Sequence, residues 1–318
     1  MFKYFICLIT LFLGNICEAT EFNQLPSILI INSKNGEVNQ GDLARNFRST
    51  SDSYKRKTGD PLPSIKGLKE LNILGSAQFS EQNLKKVLRH LNHPDHFFIV
   101  DLRQEWHGFL NGIPVSWYGV RNASNRGKSW SRIMSEEKIV LEELVERKDI
   151  VLSKIVSKDK HGLELPEASS MPFTANYFVT EEALSAKYGF GYIRIPVRDA
   201  LIPARDMVDR FLAFVKTLPK NSWLYFHCAA GVGRTTSFMI MYDIIKNANQ
   251  VSFEDILKRQ YLLGGSDLSR YGSESSWKYP FAIERHRFLK DFYEYVRCDK
   301  DSDETSWSQY VVKNNLQY

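Results

Sequence analysis

The chain has 318 residues, 43% of them hydrophobic and 25% charged, with neither an internal repeat nor a low-complexity tract. That balance belongs to a soluble globular protein with room for one large domain or two modest ones. The formal charge of +5 and the pI of 8.8 are mildly basic, which suits a negatively charged partner without calling for nucleic acid.

Residues 1–19 stand apart. Lys3 is followed by an apolar stretch from Tyr4 to Ile16 and then by Cys17-Glu18-Ala19. A basic start, a short apolar middle and a small residue at the end predict a secretory signal peptide cleaved after Ala19, hence a secreted or periplasmic protein. Cys17 carries a bulky Ile16 before it, which argues against a lipid anchor. No later segment is long and apolar enough to span a bilayer, so no stable membrane insertion is expected after cleavage. The mature chain keeps two cysteines, Cys228 and Cys298. Pairing them would consume the residue singled out below as a nucleophile, so no structural disulfide is expected.

Residues 20–65 are polar and weakly patterned, an arm with a few short strands. Residues 80–92 (SEQNLKKVLRHLN) predict a helix opening at Ser80, with Gln82 and Asn83 placed for capping and Pro94 beyond its end. Phe97 to Leu102 predicts a buried strand, 134–149 a charged helix, and Tyr192 to Val197 another strand. A helix from Ala204 to Leu218 precedes a short strand at Trp223–Phe226. Ser252 opens the next helix, which stops at Gly264-Gly265, and Pro280 sits in the first turn of a long helix ending near Arg297. Alternation of strands and helices through the last two thirds predicts a layered α/β domain.

Between the Trp223 strand and the following helical run lies HCAAGVGRT, residues 227–235. A loop that joins a strand end to a helix N-terminus gathers unpaired backbone N–H groups and the positive end of the helix dipole, a cradle for a dianionic phosphate. Ala229, Ala230, Gly231, Val232 and Gly233 would line it, with Gly231 and Gly233 taking backbone conformations a Cβ resists. Arg234 offers a planar fork to two phosphate oxygens. Cys228 shares the cradle, which favours the thiolate, and Thr235 can donate a hydrogen bond to the sulfur. Cysteine, five residues and arginine alone occur by chance; the whole run between a strand and a helix specifies a phosphate site with a nucleophile at its base.

Thiolate attack on a phosphomonoester expels an alkoxide that needs a proton. Asp199, after the Tyr192–Val197 strand and before Pro203, is the candidate acid, ahead of Asp206 and Asp209 on the next helix. His227 is expected to hold the loop and help set the thiolate, not to act as a base. His90, His93 and His96 crowd a helix end without a carboxylate or cysteine framework, so neither a metal nor another cofactor is expected.

HCAAGVGRT resembles the signature of the cysteine-dependent phosphatases. Further blocks resemble the bacterial PTP-like phytases: Asn46-Phe47-Arg48-Ser49, DLRQEWHGFLNGIPVSWYG from Asp101, YIRIPVRD from Tyr192, DRFLAFVKTLP from Asp209 and DILKRQYLLGG from Asp255. The similarity spans about residues 40–300. It implies a twisted central sheet flanked by helices with a small partial-barrel subdomain on the N-terminal side, all within a domain covering 20–318. It also implies metal-independent, stepwise removal of phosphates from inositol hexakisphosphate, a small-molecule substrate. Cys228 would be the nucleophile, Arg234 the clamp and Asp199 the acid, with Arg48 and Lys278 as basic contacts to substrate. Two positions depart from the family pattern: Ala229 stands where Glu is common, and Ala200 follows the acid where His is common. Neither touches bond cleavage; both bear on substrate contacts.

Other readings stay open on sequence. One is a phosphatase for phosphotyrosine proteins or phosphoinositides, which a shallow aromatic slot would favour over a deep pocket fed by Arg48, Arg103 and Lys278. The other is an inactive phosphoanion-binding module, disfavoured because cysteine, arginine and acid are all present.

Overall fold

The computed structural model describes residues 27–318 apart from 33–42, 58, 60, 159–160, 162–164 and 299–304. The leader 1–19, with Cys7 and Cys17, lies outside the described residues, as does the start of the polar arm.

The central sheet has five strands: β2 (Arg48–Ser49), β3 (Ile73–Ala77), β4 (Phe97–Arg103), β10 (Gly191–Val197) and β11 (Trp223–Cys228), in the order β10-β4-β11-β3-β2. All pair in parallel except the edge strand β2, which runs antiparallel to β3. Parallel neighbours need helical crossovers, and these cover both faces. Alternation along each strand sorts the apolar side chains accordingly. Leu224 and Phe226 join a core with Val208 and Phe211 of α4 (Arg205–Thr217), Phe238 and Met239 of α5 (Gly233–Asn247), Ile256 of α6 (Phe253–Leu262) and Phe288 of α7 (Tyr279–Cys298). Tyr225 between them points to the opposite face, where Phe79 and the apolar stripe of α1 (Glu81–His90), Leu84, Val87 and Leu88, pack. The nucleophile region is therefore a strand end clamped between two cores.

A second sheet has six strands in the order β8-β7-β1-β6-β5-β9: β1 (Ser27–Ile31), β5 (His107–Leu110), β6 (Ile113–Gly119), β7 (Asp149–Ser157), β8 (Glu167–Thr174) and β9 (Phe178–Val179). Its edge strands β8 and β9 do not pair, so it is an open sheet, not a closed barrel. The chain passes from β4 into β5 through Gln104, Glu105 and Trp106 alone. That short corner puts Glu105 where the two sheets meet.

Most expected elements form at nearly the expected places. Ser80 caps α1 through a reciprocal pair with Asn83, Ser252 caps α6 by accepting from the Asp255 amide, and Pro280 lies in the first turn of α7. The charged helix starts at Trp130, earlier than its charges suggest: α2 (Trp130–Arg147) opens on a Ser129 cap. Three elements carry little pattern in the sequence. β8 has no buried residue to mark it, while α3 (Glu181–Lys187) and α8 (Trp307–Lys313) are too short for a periodic stripe.

Candidate active site

Cys228 ends β11 opposite Ala77 of β3, at the C-terminal edge of the parallel sheet, and is 2% exposed. Its Sγ accepts hydrogen bonds from the Gly231 amide and from Thr235 Oγ1, each at 3.2 Å. Helix α5 begins at Gly233 with Val232 as its N-cap and no side chain capping it, so its first N–H groups face the loop unclaimed by a cap.

The direction of the loop amides follows from where its carbonyls go. The Gln78 amide donates to the Ala229 carbonyl at 3.4 Å, Asn46 Nδ2 to that of Ala230 at 2.8 Å, and Arg48 Nη1 to that of Gly231 at 2.8 Å. In a trans peptide C=O and N–H point opposite ways. The N–H groups of Ala230, Gly231 and Val232 are thus turned inward, as the Gly231 bond to Sγ illustrates. Gly231 is required twice: its φ is +70°, and a Cβ there would lie 2.2 Å from the Ala77 nitrogen. Gly233 differs from expectation. It has no positive φ; its missing Cβ leaves room for Arg285, whose Nη1 would stand 3.2 Å from it.

Arg48 is also placed differently from the substrate contact the resemblance implies. It is 1% exposed and lies under the loop, giving Nη1 to Asn46 O and Gly231 O and Nη2 to Thr236 Oγ1. Burial, reinforced by Arg56, pulls its ionisation down to about 10 against the opposing pull of Cys228 and Tyr225. The Asn46-Phe47-Arg48 block is a brace for the nucleophile loop. Lys278 lies in the exposed segment before α7 with Nζ 5.3 Å from the Trp277 ring centroid, and among the described residues no hydrogen bond or ion pair joins its side chain to the loop.

Arg234 is fixed by a residue the sequence reading did not single out. Glu105, at the corner between sheets, takes Nη1 at 2.8 Å and Nη2 at 2.9 Å in a bidentate pair, and the Val197 carbonyl takes Nη1 at 2.8 Å. Burial alone would raise the Glu105 carboxyl, but Arg234 and Arg103 outweigh it and hold the group well below the usual carboxylate range. Arg234 Nε is buried without a protein partner, leaving it and the outer side of Nη2 to meet an anion. Behind this pair a chain of buried groups runs back to the start of the loop. Arg103 Nε donates to Glu105 at 3.0 Å and its Nη1 to Gln78 Oε1 at 2.8 Å; Gln78 Nε2 donates to Glu181 Oε2 at 2.9 Å; Glu181 Oε1 binds His227 Nε2. His227, at the start of the loop, is thus tied to Glu181 of α3.

Asp101, His107 and Glu181 also converge behind the loop. Arg194 Nε stands 3.1 Å from Asp101 and His107 Nε2 3.2 Å from the same carboxylate, so the acids face fixed cations of the protein. Burial would lower the His107 ionisation, but Asp101 overrides it and lifts the group to about 9. Burial would raise Glu181, yet His227 and His107 bring it down to about 2. His90, His93 and His96 belong to no converging group among the described residues.

Asp199 lies just past β10 with its side chain 43% exposed. Oδ1 is 3.3 Å from Arg234 Nη2 and accepts from the Ala200 amide; Oδ2 accepts from Asn122 Nδ2 at 3.2 Å. Tyr118 of the second sheet is near enough to feel its charge. Tyr118 of β6 is pushed up to about 12, by burial first and then by Asp199 and Glu105. Lys158 Nζ lies 4.5 Å over the Tyr118 ring and is pulled down by burial, with Asp199 opposing and Arg45 adding to the shift. Arg198 is likewise lowered by burial and by Arg126 and Arg121. Lys158 is thus near enough to Asp199 to feel its charge and Arg198 precedes Asp199 in the chain; neither stands out in the sequence. Cys228 and Cys298 are both free.

The model of the PTP-like phytase family, described as inositol hexakisphosphate, matches residues 100–246. A PTP-like phytase structure from Bdellovibrio bacteriovorus is 30% identical and superposes with a TM-score of 0.67, over 90% of this chain and 95% of that one. The PTP-like myo-inositol phosphatase of Mitsuokella multacida, solved in complex with myo-inositol-(1,3,4,5)-tetrakisphosphate, is 35% identical with a TM-score of 0.82, over 92% of this chain and 48% of that one. The effector protein hopD2 of Pseudomonas syringae pv. tomato is 29% identical over 275 residues, 85% of this chain and 57% of that protein. The chain thus spans about half the length of the Mitsuokella and Pseudomonas proteins. Near-complete mutual coverage with the Bdellovibrio enzyme, and a matched segment that includes the Glu105 corner, Asp199 and the whole nucleophile loop, lead to one assignment: the chain belongs to the PTP-like phytase family.

Proposed function

We propose that the protein is a phosphomonoesterase that removes phosphates stepwise from inositol polyphosphates through a phosphocysteine. The observation that carries this reading is the buried Sγ of Cys228 facing inward-turned amides, with Arg234 fixed by Glu105 and the exposed Asp199 carboxyl 3.3 Å from Arg234. Cations near Asp199, namely Lys158, Arg198 and Arg285, favour a substrate carrying several phosphates over a monoanion.

A phosphate enters the cradle with its oxygens on the loop amides and on Arg234 Nε and Nη2. The thiolate attacks phosphorus, the bond to the ester oxygen breaks, and Asp199 gives its proton to the departing alkoxide. The Asp199 carboxylate then takes a proton from water as that water attacks the phosphocysteine. The P–S bond breaks, inorganic phosphate leaves and the thiolate returns. Thr235 Oγ1, 3.2 Å from Sγ, donates to the sulfur in both steps. We further propose export by the leader 1–19, supported by its basic start and apolar middle; N-terminal sequencing of the extracellular or periplasmic protein should begin after Ala19, and an intact Met1 there would refute it.

The test of the activity is phosphate release from inositol hexakisphosphate, a phosphotyrosine peptide and a phosphoinositide, for wild type and Cys228→Ser. The inositol polyphosphate should be hydrolysed fastest and only by wild type. Preference for the peptide or the lipid would replace the substrate assignment.

A further inference from the structure

The acid sits on a turn whose sequence does not suit its shape. Leu201 N donates to Arg198 O at 3.1 Å, closing a β-turn with Asp199 and Ala200 at its centre. Ala200 has φ of +69°, the conformation that the third position of such a turn normally reserves for glycine. A residue with a Cβ is strained there. Something outside the turn must hold it.

The two peptide groups of Ala200 show what does. Its N–H donates to Asp199 Oδ1 at 3.1 Å, and its carbonyl accepts from Arg285 Nη2 at 2.8 Å. Arg285 comes from α7, remote in sequence. Its other arm lies against the backbone of Gly233, close enough that a Cβ there would sit 3.2 Å from Nη1 and 3.5 Å from Cζ. Its Nε is buried without a protein partner. One guanidinium therefore touches the acid turn and the nucleophile loop at once, in the space that Gly233 leaves open.

We propose that Arg285 is a positioning residue: it latches the Asp199 turn against the nucleophile loop, so that the acid stands at the leaving oxygen. This rests on the reading of Asp199 as the general acid. Arg285 makes no bond to Asp199 itself; it acts through the Ala200 carbonyl.

The test uses aryl and alkyl monophosphates of graded leaving ability, which carry one phosphate and cannot report contacts to others. Arg285→Met should lower kcat/KM, which reports phosphocysteine formation, for poor leaving groups by about 10- to 100-fold and for p-nitrophenyl phosphate by less than about threefold, the signature of a misplaced acid. Ala200→Gly, which suits the turn without help, should restore part of that loss in the double variant. Arg285→Lys, kept for the case that the methionine variant does not fold, should show a smaller loss of the same selectivity. A uniform loss across leaving groups would overturn the latch, as would a defect confined to KM for inositol polyphosphates, which would make Arg285 a substrate contact. Asp199→Asn run alongside separates the two claims. If it shows the leaving-group selectivity and Arg285→Met does not, only the latch fails; if it shows none, the acid assignment fails.

Discussion

The nucleophile loop and the acid turn meet at Arg234 but are built on opposite principles. Every loop carbonyl from Ala229 to Gly231 is held by an outside donor, its glycine has no space for a Cβ, and both ends tie into one buried chain from His227 through Glu181, Gln78, Arg103 and Glu105 to Arg234. The acid turn is half exposed, strained at Ala200, and held by a few bonds from Asn122, Arg234 and Arg285. The contrast suits the proposed roles: a preorganised cradle that must not move as charge develops on phosphate, and an acid that would reach first an ester oxygen and then a water.

Damage on the two sides should look different. Cys228→Ser removes the thiolate and should cost at least about 10⁴-fold in kcat on every substrate, measured by phosphate release. Asp199→Asn should lower kcat/KM, which reports phosphocysteine formation, by about 10²- to 10⁴-fold, and only where the leaving group is poor. Glu105→Gln strips a buried partner from Arg234 and Arg103. It should lower stability by about 3 kcal/mol, read in denaturant melts, and slow all leaving groups alike. An effect of Glu105→Gln that tracked leaving-group ability would erase the distinction drawn between loop and turn.

The pH dependence of stability tests the network behind the loop. His107 ionises at about 9 against an ordinary 6.5, so its contribution is complete below 6.5 and is lost as pH rises through 9. Glu181 ionises at about 2 against 4.5, so its contribution is complete above 4.5 and is lost as pH falls toward 2. Thermal melts should peak between about 4.5 and 6.5, and His107→Gln should flatten the alkaline side. The smallest effect lies far from the site: Ser80→Ala removes the α1 cap and should cost about 1 kcal/mol in stability with kcat unchanged.

How much of this was legible beforehand follows the same division. Contiguous features read well: the strand, loop and helix around Cys228 and the Ser80 and Ser252 caps all lie within short windows whose chemistry or periodicity is local. What binds them does not. Glu105 looks like one carboxylate in a charged run until the chain turns between sheets at that point. Arg48 reads as a cation for substrate until burial shows it supporting carbonyls, and Arg285 lies on a helix remote in sequence from the turn it touches. Gln78 and Glu181 have no motif at all; only the pairing of β3, β4 and β11 and the docking of α3 bring them together.

Everything in the mechanism passes through a phosphorus–sulfur bond. The direct measurement is rapid acid quench of Asp199→Asn with a ³²P-labelled aryl phosphate, followed by peptide mapping. Asp199→Asn keeps attack on a good leaving group but lacks the base for hydrolysis, so label should accumulate on the peptide carrying Cys228, up to one phosphate per chain, and vanish in Cys228→Ser. Full turnover of wild type with no label ever trapped on that cysteine, or label on another residue, would contradict the account.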